Sequence, residues 1–91
     1  MNVPTYDILD CGTLTGTNTV LPLLAEPRLC VELIVQADPS NTANVGIGND
    51  LVQWWVLAPG ATLTVPARHI NIVYVRFPAN STQRVNWIAM R

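Results

Sequence analysis

Along the chain, short runs of apolar, β-branched and aromatic residues recur at regular intervals between polar stretches of Pro, Gly, Asn and Asp, the pattern of an all-β protein, and no stretch keeps the period of a helix. In residues 28–36, Leu29, Val31, Leu33 and Val35 alternate with Cys30, Glu32, Ile34 and Gln36, which predicts a strand with one wholly apolar face. Ala37-Asp38-Pro39-Ser40-Asn41-Thr42 then stacks turn formers: Asp38 is placed to bond the backbone ahead of it and Pro39 fixes its own φ. Residues 45–48 read as a short strand whose glycines mark a bulge or a close backbone approach, and Asn49-Asp50 turns the chain into a strand over 51–57. Ala58-Pro59-Gly60-Ala61 carries Pro second and Gly third, the composition of a type II turn. Strands over 62–65, 70–77 and 84–90 complete the chain. The last two, separated by Pro78-Ala79-Asn80-Ser81-Thr82, are expected to form a hairpin.

Ahead of this, Thr13, Thr15, Thr17 and Thr19 alternate with Leu14, Gly16, Asn18 and Val20 before Pro22 and Pro27 interrupt. Residues 1–27 therefore read as an edge strand with a proline-pinned connection, or as an arm laid on a neighbouring subunit. Adding the short run at residues 6–9 gives eight extended segments. The expectation is an all-β chain, one domain over residues 1–91, folded as an antiparallel β-sandwich or jelly roll of seven to eight short strands.

Several of these strands are apolar on both faces. Neighbouring side chains of a strand point to opposite sides, so Trp54 and Trp55 cannot both enter one core. Val52, Trp54 and Val56 share one face and Leu51, Trp55 and Leu57 the other; Ile70, Ile72 and Tyr74 oppose Val73, Val75 and Phe77; Val85, Trp87 and Ala89 oppose Ile88 and Met90. A thin sandwich has one interior, so the second faces must be exposed, or covered by the N-terminal segment, or covered by another subunit. Covering about 400 Å² of such surface is worth on the order of 10 kcal/mol gross, before association costs. Leu51, Trp54, Trp55, Leu57, Ile72, Tyr74, Ile88 and Met90 are the candidate interface residues for a homo-oligomer, a dimer or trimer.

Composition sharpens this. The 91 residues supply one core, removing roughly 9,000 Å² of about 14,500 Å² of chain surface. Hydrophobic residues make up 49% and charged ones only 12%, about half the usual share, which leaves little charge to coat a free monomer. There is no lysine and the net charge is −1, so the chain has no phosphate-neutralising surface and nucleic acid is not an expected partner. No apolar run reaches membrane-spanning length, and the first residues lack the pattern of a secretory signal.

Candidate chemistry is sparse. His69 is the only histidine, and Asp7, Asp10, Glu26, Glu32, Asp38 and Asp50 fall at no catalytic spacing. Cys11 and Cys30 read as free thiols more readily than as a disulfide, and with no C-x-x-C and one histidine no metal site or cofactor is expected. Asn80-Ser81-Thr82 matches a glycosylation sequon but reads as a turn, and Gly46-x-Gly48 is too short to cradle phosphate. No catalysis is expected.

In the second half of the chain, Asn41-Thr42 with Asn44-Val45-Gly46-Ile47-Gly48, then Leu57-Ala58-Pro59-Gly60-Ala61-Thr62-Leu63-Thr64-Val65-Pro66, then Ile72-Val73-Tyr74-Val75 and Val85-Asn86-Trp87 follow in an order that resembles small β-sandwich structural proteins of tailed bacteriophages. Those proteins decorate or cement heads or form head fibres and tail tips. The resemblance implies a non-enzymatic virion protein, most simply a capsid decoration protein, made in the host cytoplasm and bound to the major capsid protein. Residues 1–27 match nothing in that pattern. The alternative is a carbohydrate-binding or receptor-binding sandwich, in which an exposed Trp beside Gln53 and Asn71 stacks on a sugar ring.

Overall fold

The computed structural model describes residues 7–91. Among these residues eight strands form two four-stranded antiparallel sheets: β1 (Ile8–Gly16), β2 (Thr19–Pro22), β3 (Glu32–Ala37), β4 (Val45–Gly48), β5 (Trp55–Leu57), β6 (Thr62–Pro66), β7 (Tyr74–Phe77) and β8 (Gln83–Met90). One sheet has the order β1-β8-β3-β6 and the other β2-β7-β4-β5. The pairs β1:β8, β2:β7, β3:β6 and β4:β5 are nested like the two arms of one long hairpin, and β8:β3 and β7:β4 close the roll. That is the connectivity of a jelly roll.

Alternation explains the core. Leu33, Val35 and Ala37 of β3 and Val85, Trp87 and Ala89 of β8 face inward from the first sheet. Val45 and Ile47 of β4, Leu57 of β5, and Val75 and Phe77 of β7 meet them from the second. Strands β3, β7 and β8 bury every second side chain, as the inner strands of a two-layer sandwich do.

The sequence expectations differ from the structure in five places. The strand foreseen over residues 28–36 begins its ladder only at Glu32. Before it, Cys30 donates its backbone N–H to the Arg68 carbonyl and its thiol to the Ala67 carbonyl, which turns Cys30 inward and leaves Leu29 and Val31 exposed. Burial raises the pKa of that thiol. The strand foreseen over 51–57 shrinks to Trp55–Leu57, because Asn49 Oδ1 accepts the backbone N–H groups of Leu51 and Val52 and diverts them from the sheet. The segment 70–77 opens with a 3-10 turn, Ile70–Ile72, before β7. Finally, β7 and β8 are not a hairpin: they lie in opposite sheets, and residues 78–82 cross between them. The early run at residues 6–9 and the threonine-rich stretch also divide differently, with Ile8–Gly16 forming one edge strand against β8 and Thr19–Pro22 another against β7; Tyr6 lies outside the described residues.

Two turns match their residue chemistry. Gly60 has φ +84, and the Ala61 N–H bonds the Ala58 carbonyl, the type II geometry foreseen there. Asp38 Oδ1 accepts both the backbone N–H and the hydroxyl of Ser40, while Oδ2 accepts the Asn86 amide. The two Ser40 bonds, followed by the Asn86 bond, hold the Asp38 pKa down to about 2. Because this lies below the value of about 4 in the unfolded chain, the carboxylate stabilises the fold above about pH 4, and that contribution is lost as pH falls toward about 2. Thermal melts between those pH values are expected to fall more steeply for the natural chain than for Asp38→Asn; parallel curves would show that the turn does not hold the charge.

Candidate functional site

Strand β5 is the outer strand of one sheet and β6 the outer strand of the other, so the sandwich is open along this side. Trp55 pairs with Ile47 and so shares its inward register, yet it is 61% exposed because no strand lies beyond it. Its indole instead lines an open groove of about 440 Å³ between β5 and β6, with Ile47, Leu63, Val65, Ile72 and Val73. Among the described residues no ionisable side chain lines this groove.

Beside the groove, residues 49–54 fold back over the outer face of β4. The Asn49 N–H bonds the Val52 carbonyl at 2.9 Å, Asn49 Oδ1 accepts from Leu51 and Val52 at 2.8 and 2.9 Å, and the buried Gln53 amide donates to the Asn49 carbonyl at 2.8 Å. A loop with this many internal bonds has few conformations left to lose on binding. It holds Leu51 and Trp54 out at 83% exposure each, with Val52 half-exposed between them. The loop is therefore an apolar knob fixed by polar bonds beneath it.

The structure brings four of the eight candidate interface residues to this edge: Leu51, Trp54, Trp55 and Ile72. Leu57 is corrected: at 4% exposure it belongs to the core, because its register opposite Val45 points it inward and the chain on either side closes over it. Tyr74 is partly buried opposite Gly48, on the outer face of the same sheet as β5. Ile88 and Met90 lie on the outer face of the other sheet, where Ile88 stands between Cys11 and Ile34, and Met90 between Ile8 and Glu32. The eight residues thus do not form one surface. Val56, exposed on the outer side of β5, was not among them, although its alternation with Trp55 marks it.

The polar groups foreseen beside the tryptophans are placed otherwise. Gln53 is turned under the loop, and the Asn71 side-chain oxygen is buried without a hydrogen-bond partner among the described residues. His69 forms a bridge with Leu29 at the entry to the 3-10 turn. Asp10 pairs with Arg28 at the surface, where such a contact is worth little. Cys11 is an exposed thiol and Cys30 a buried one, not joined to each other. Among the described residues no three His, Cys, Asp or Glu side chains converge as metal ligands, and no helix is long and apolar enough to cross a membrane. Comparison with protein-family models, with curated proteins and with solved structures finds no match for this chain.

Proposed function

We propose that the protein is a non-enzymatic structural component of a virus particle, a decoration protein of a tailed-phage head. On this reading it is made in the host cytoplasm, assembles with copies of itself and seats on the major capsid protein. The observation that carries the reading is the set of large apolar side chains, Leu51, Trp54 and Trp55, held out from one edge of the sandwich by a hydrogen-bonded loop. A chain with 12% charged residues and three such side chains in water gains most by having that surface covered.

Jelly rolls serve in viral capsids and in lectins alike, so the architecture does not choose between them. The polar groups favour assembly. Stacking a sugar on Trp54 or Trp55 needs free hydrogen-bonding groups beside the indole, and the Gln53 amide is already engaged by the Asn49 carbonyl.

Two measurements test the reading. The full chain is expected to sediment as an oligomer at micromolar concentration and to remain one in about 1 M salt, where the screening length is only about 3 Å and charge-based contacts fade. It is also expected to be found by mass spectrometry in density-purified particles at constant stoichiometry. A monomer at those concentrations removes the basis for assembly. Glycan binding that is lost on Trp54→Ser while the oligomer persists would favour the carbohydrate-binding alternative.

A further inference from the structure

We propose that the surface around β5 is where two copies of this chain meet across a two-fold axis, the Leu51–Trp54 knob of each copy seated in the Trp55–Ile72 groove of the other. The inference rests on the assembly reading above and adds which surface mediates it, in what symmetry and with what occupant.

Knob and groove lie side by side on one molecule, yet a single copy cannot fit one into the other. Trp54 belongs to the loop ahead of β5 and is not part of the groove lining, whereas Trp55, the first residue of β5, is. The loop bearing Leu51 and Trp54 is tied to Asn49 and packed over β4, so it does not swing into the groove beside it. A second copy rotated by half a turn about an axis near β5 presents its groove to this knob and its knob to this groove, so both are filled by one self-complementary contact.

The area suffices. At their exposures the two indoles offer about 350 Å². Leu51, Val52, Val56 and Ile72 add about 300 Å² at roughly 80 Å² each. Full coverage of this surface on both copies amounts to at most about 1,300 Å², at the lower end of the window of about 1,200–2,000 Å² in which stable, specific interfaces fall. The groove lining is uncharged, and the charged groups beside it are one of each sign: Asp50 in the loop and the exposed Arg76, which lies next to Gly46 and Val56 on the outer face, so few charges lose water and neither sign accumulates. With a single base, Arg76, and a single acid, Asp50, beside it, the surface lacks the basic cluster that draws an anionic membrane.

The test is sedimentation equilibrium of the full chain beside Trp54→Ser, Ile72→Ser and Ile88→Thr, with circular dichroism confirming that each variant is folded; all three side chains are exposed, so the core is untouched. The expected species is a dimer. Trp54→Ser should weaken it on the order of 30-fold, the loss typical of a central aromatic anchor, and Ile72→Ser by a smaller factor. Ile88→Thr, on the far sheet, should leave it unchanged. Diluting the natural chain through the dissociation range should shift tryptophan emission to the red as Trp54 and Trp55 become wet, a readout that needs no variant. A trimer, or a dimer that responds to Ile88→Thr and not to Trp54→Ser, overturns the proposal and leaves the assembly reading standing. A natural chain that stays monomeric overturns both, and monomer that binds neutral lipid vesicles through Trp54 replaces the second copy with a membrane.

Discussion

Gln83→Leu is expected to destabilise the fold by about 2–3 kcal/mol, lowering the melting temperature by about 10–20 °C in a chain of this length. Gln83 is fully buried at the start of β8, and all of its polar capacity is used. Its Oε1 accepts the backbone N–H groups of Thr42 and Ala43, at 2.9 and 3.3 Å, and its Nε2 donates to the hydroxyls of Thr42 and Ser81, at 3.1 and 2.6 Å. Leucine matches the volume closely, so little cavity forms and the loss comes from the orphaned N–H groups; the two hydroxyls can turn elsewhere.

The place makes this loss matter. Residues 38–44 carry the chain from β3 in one sheet to β4 in the other, and residues 78–82 carry it from β7 back to β8. Gln83 ties these crossings together. Asn41 adds to the tie, accepting the Arg84 N–H at its Oδ1 and donating its amide to the Arg84 carbonyl. Denaturant melts of Gln83→Leu and of Asn41→Ala should both show the deficit, and a Gln83→Leu loss well under 1 kcal/mol would mean that water enters to replace the amide.

From sequence, Gln83 looks like an ordinary polar residue at the head of a strand, because all its partners but the Ser81 hydroxyl lie about forty residues upstream and no local pattern marks them. The same asymmetry runs through the fold. Local chemistry was legible: the alternation gave eight extended segments, Asp38-Pro39-Ser40 gave its turn, and Pro59-Gly60 gave the tight corner. What depends on distant partners was not. A five-residue link such as 78–82 suits a hairpin as well as a crossing, and the choice is made by which sheet needs the inward rows of β7 and β8. Trp54-Trp55 announced by adjacency alone that one indole faces out. That both are exposed follows from β5 being an edge strand, a property of strand order that no local window contains. Leu57 went astray for the same reason: its alternation grouped it with Trp55, and only the closure of the sandwich over one end of β5 separates them.

Gly48→Ala should disturb the knob more than any substitution at the knob's own exposed side chains. A Cβ on Gly48 would fall 2.0 Å from the Val52 carbonyl oxygen and 2.7 Å from the Gln53 Cα. Both are backbone atoms, so no rotamer change relieves the clash and the loop itself must lift away from β4. Lifting it strains the bond from Asn49 N–H to the Val52 carbonyl and the bond from the Gln53 amide to the Asn49 carbonyl. The expected cost is about 1–3 kcal/mol of stability. Faster amide exchange should be confined largely to residues 49–54, and the dimer should weaken although every apolar side chain remains, because a knob without a fixed pose loses its preorganisation. Gly46 supplies an internal control: a Cβ there meets the Gln53 carbonyl oxygen at 2.6 Å, so Gly46→Ala presses on the same loop from the neighbouring outward position. One displacement relieves both clashes, so the double variant should cost little more than the worse single one. Costs that simply add would mean that the two glycines meet independent obstacles and that residues 49–54 do not move as one body.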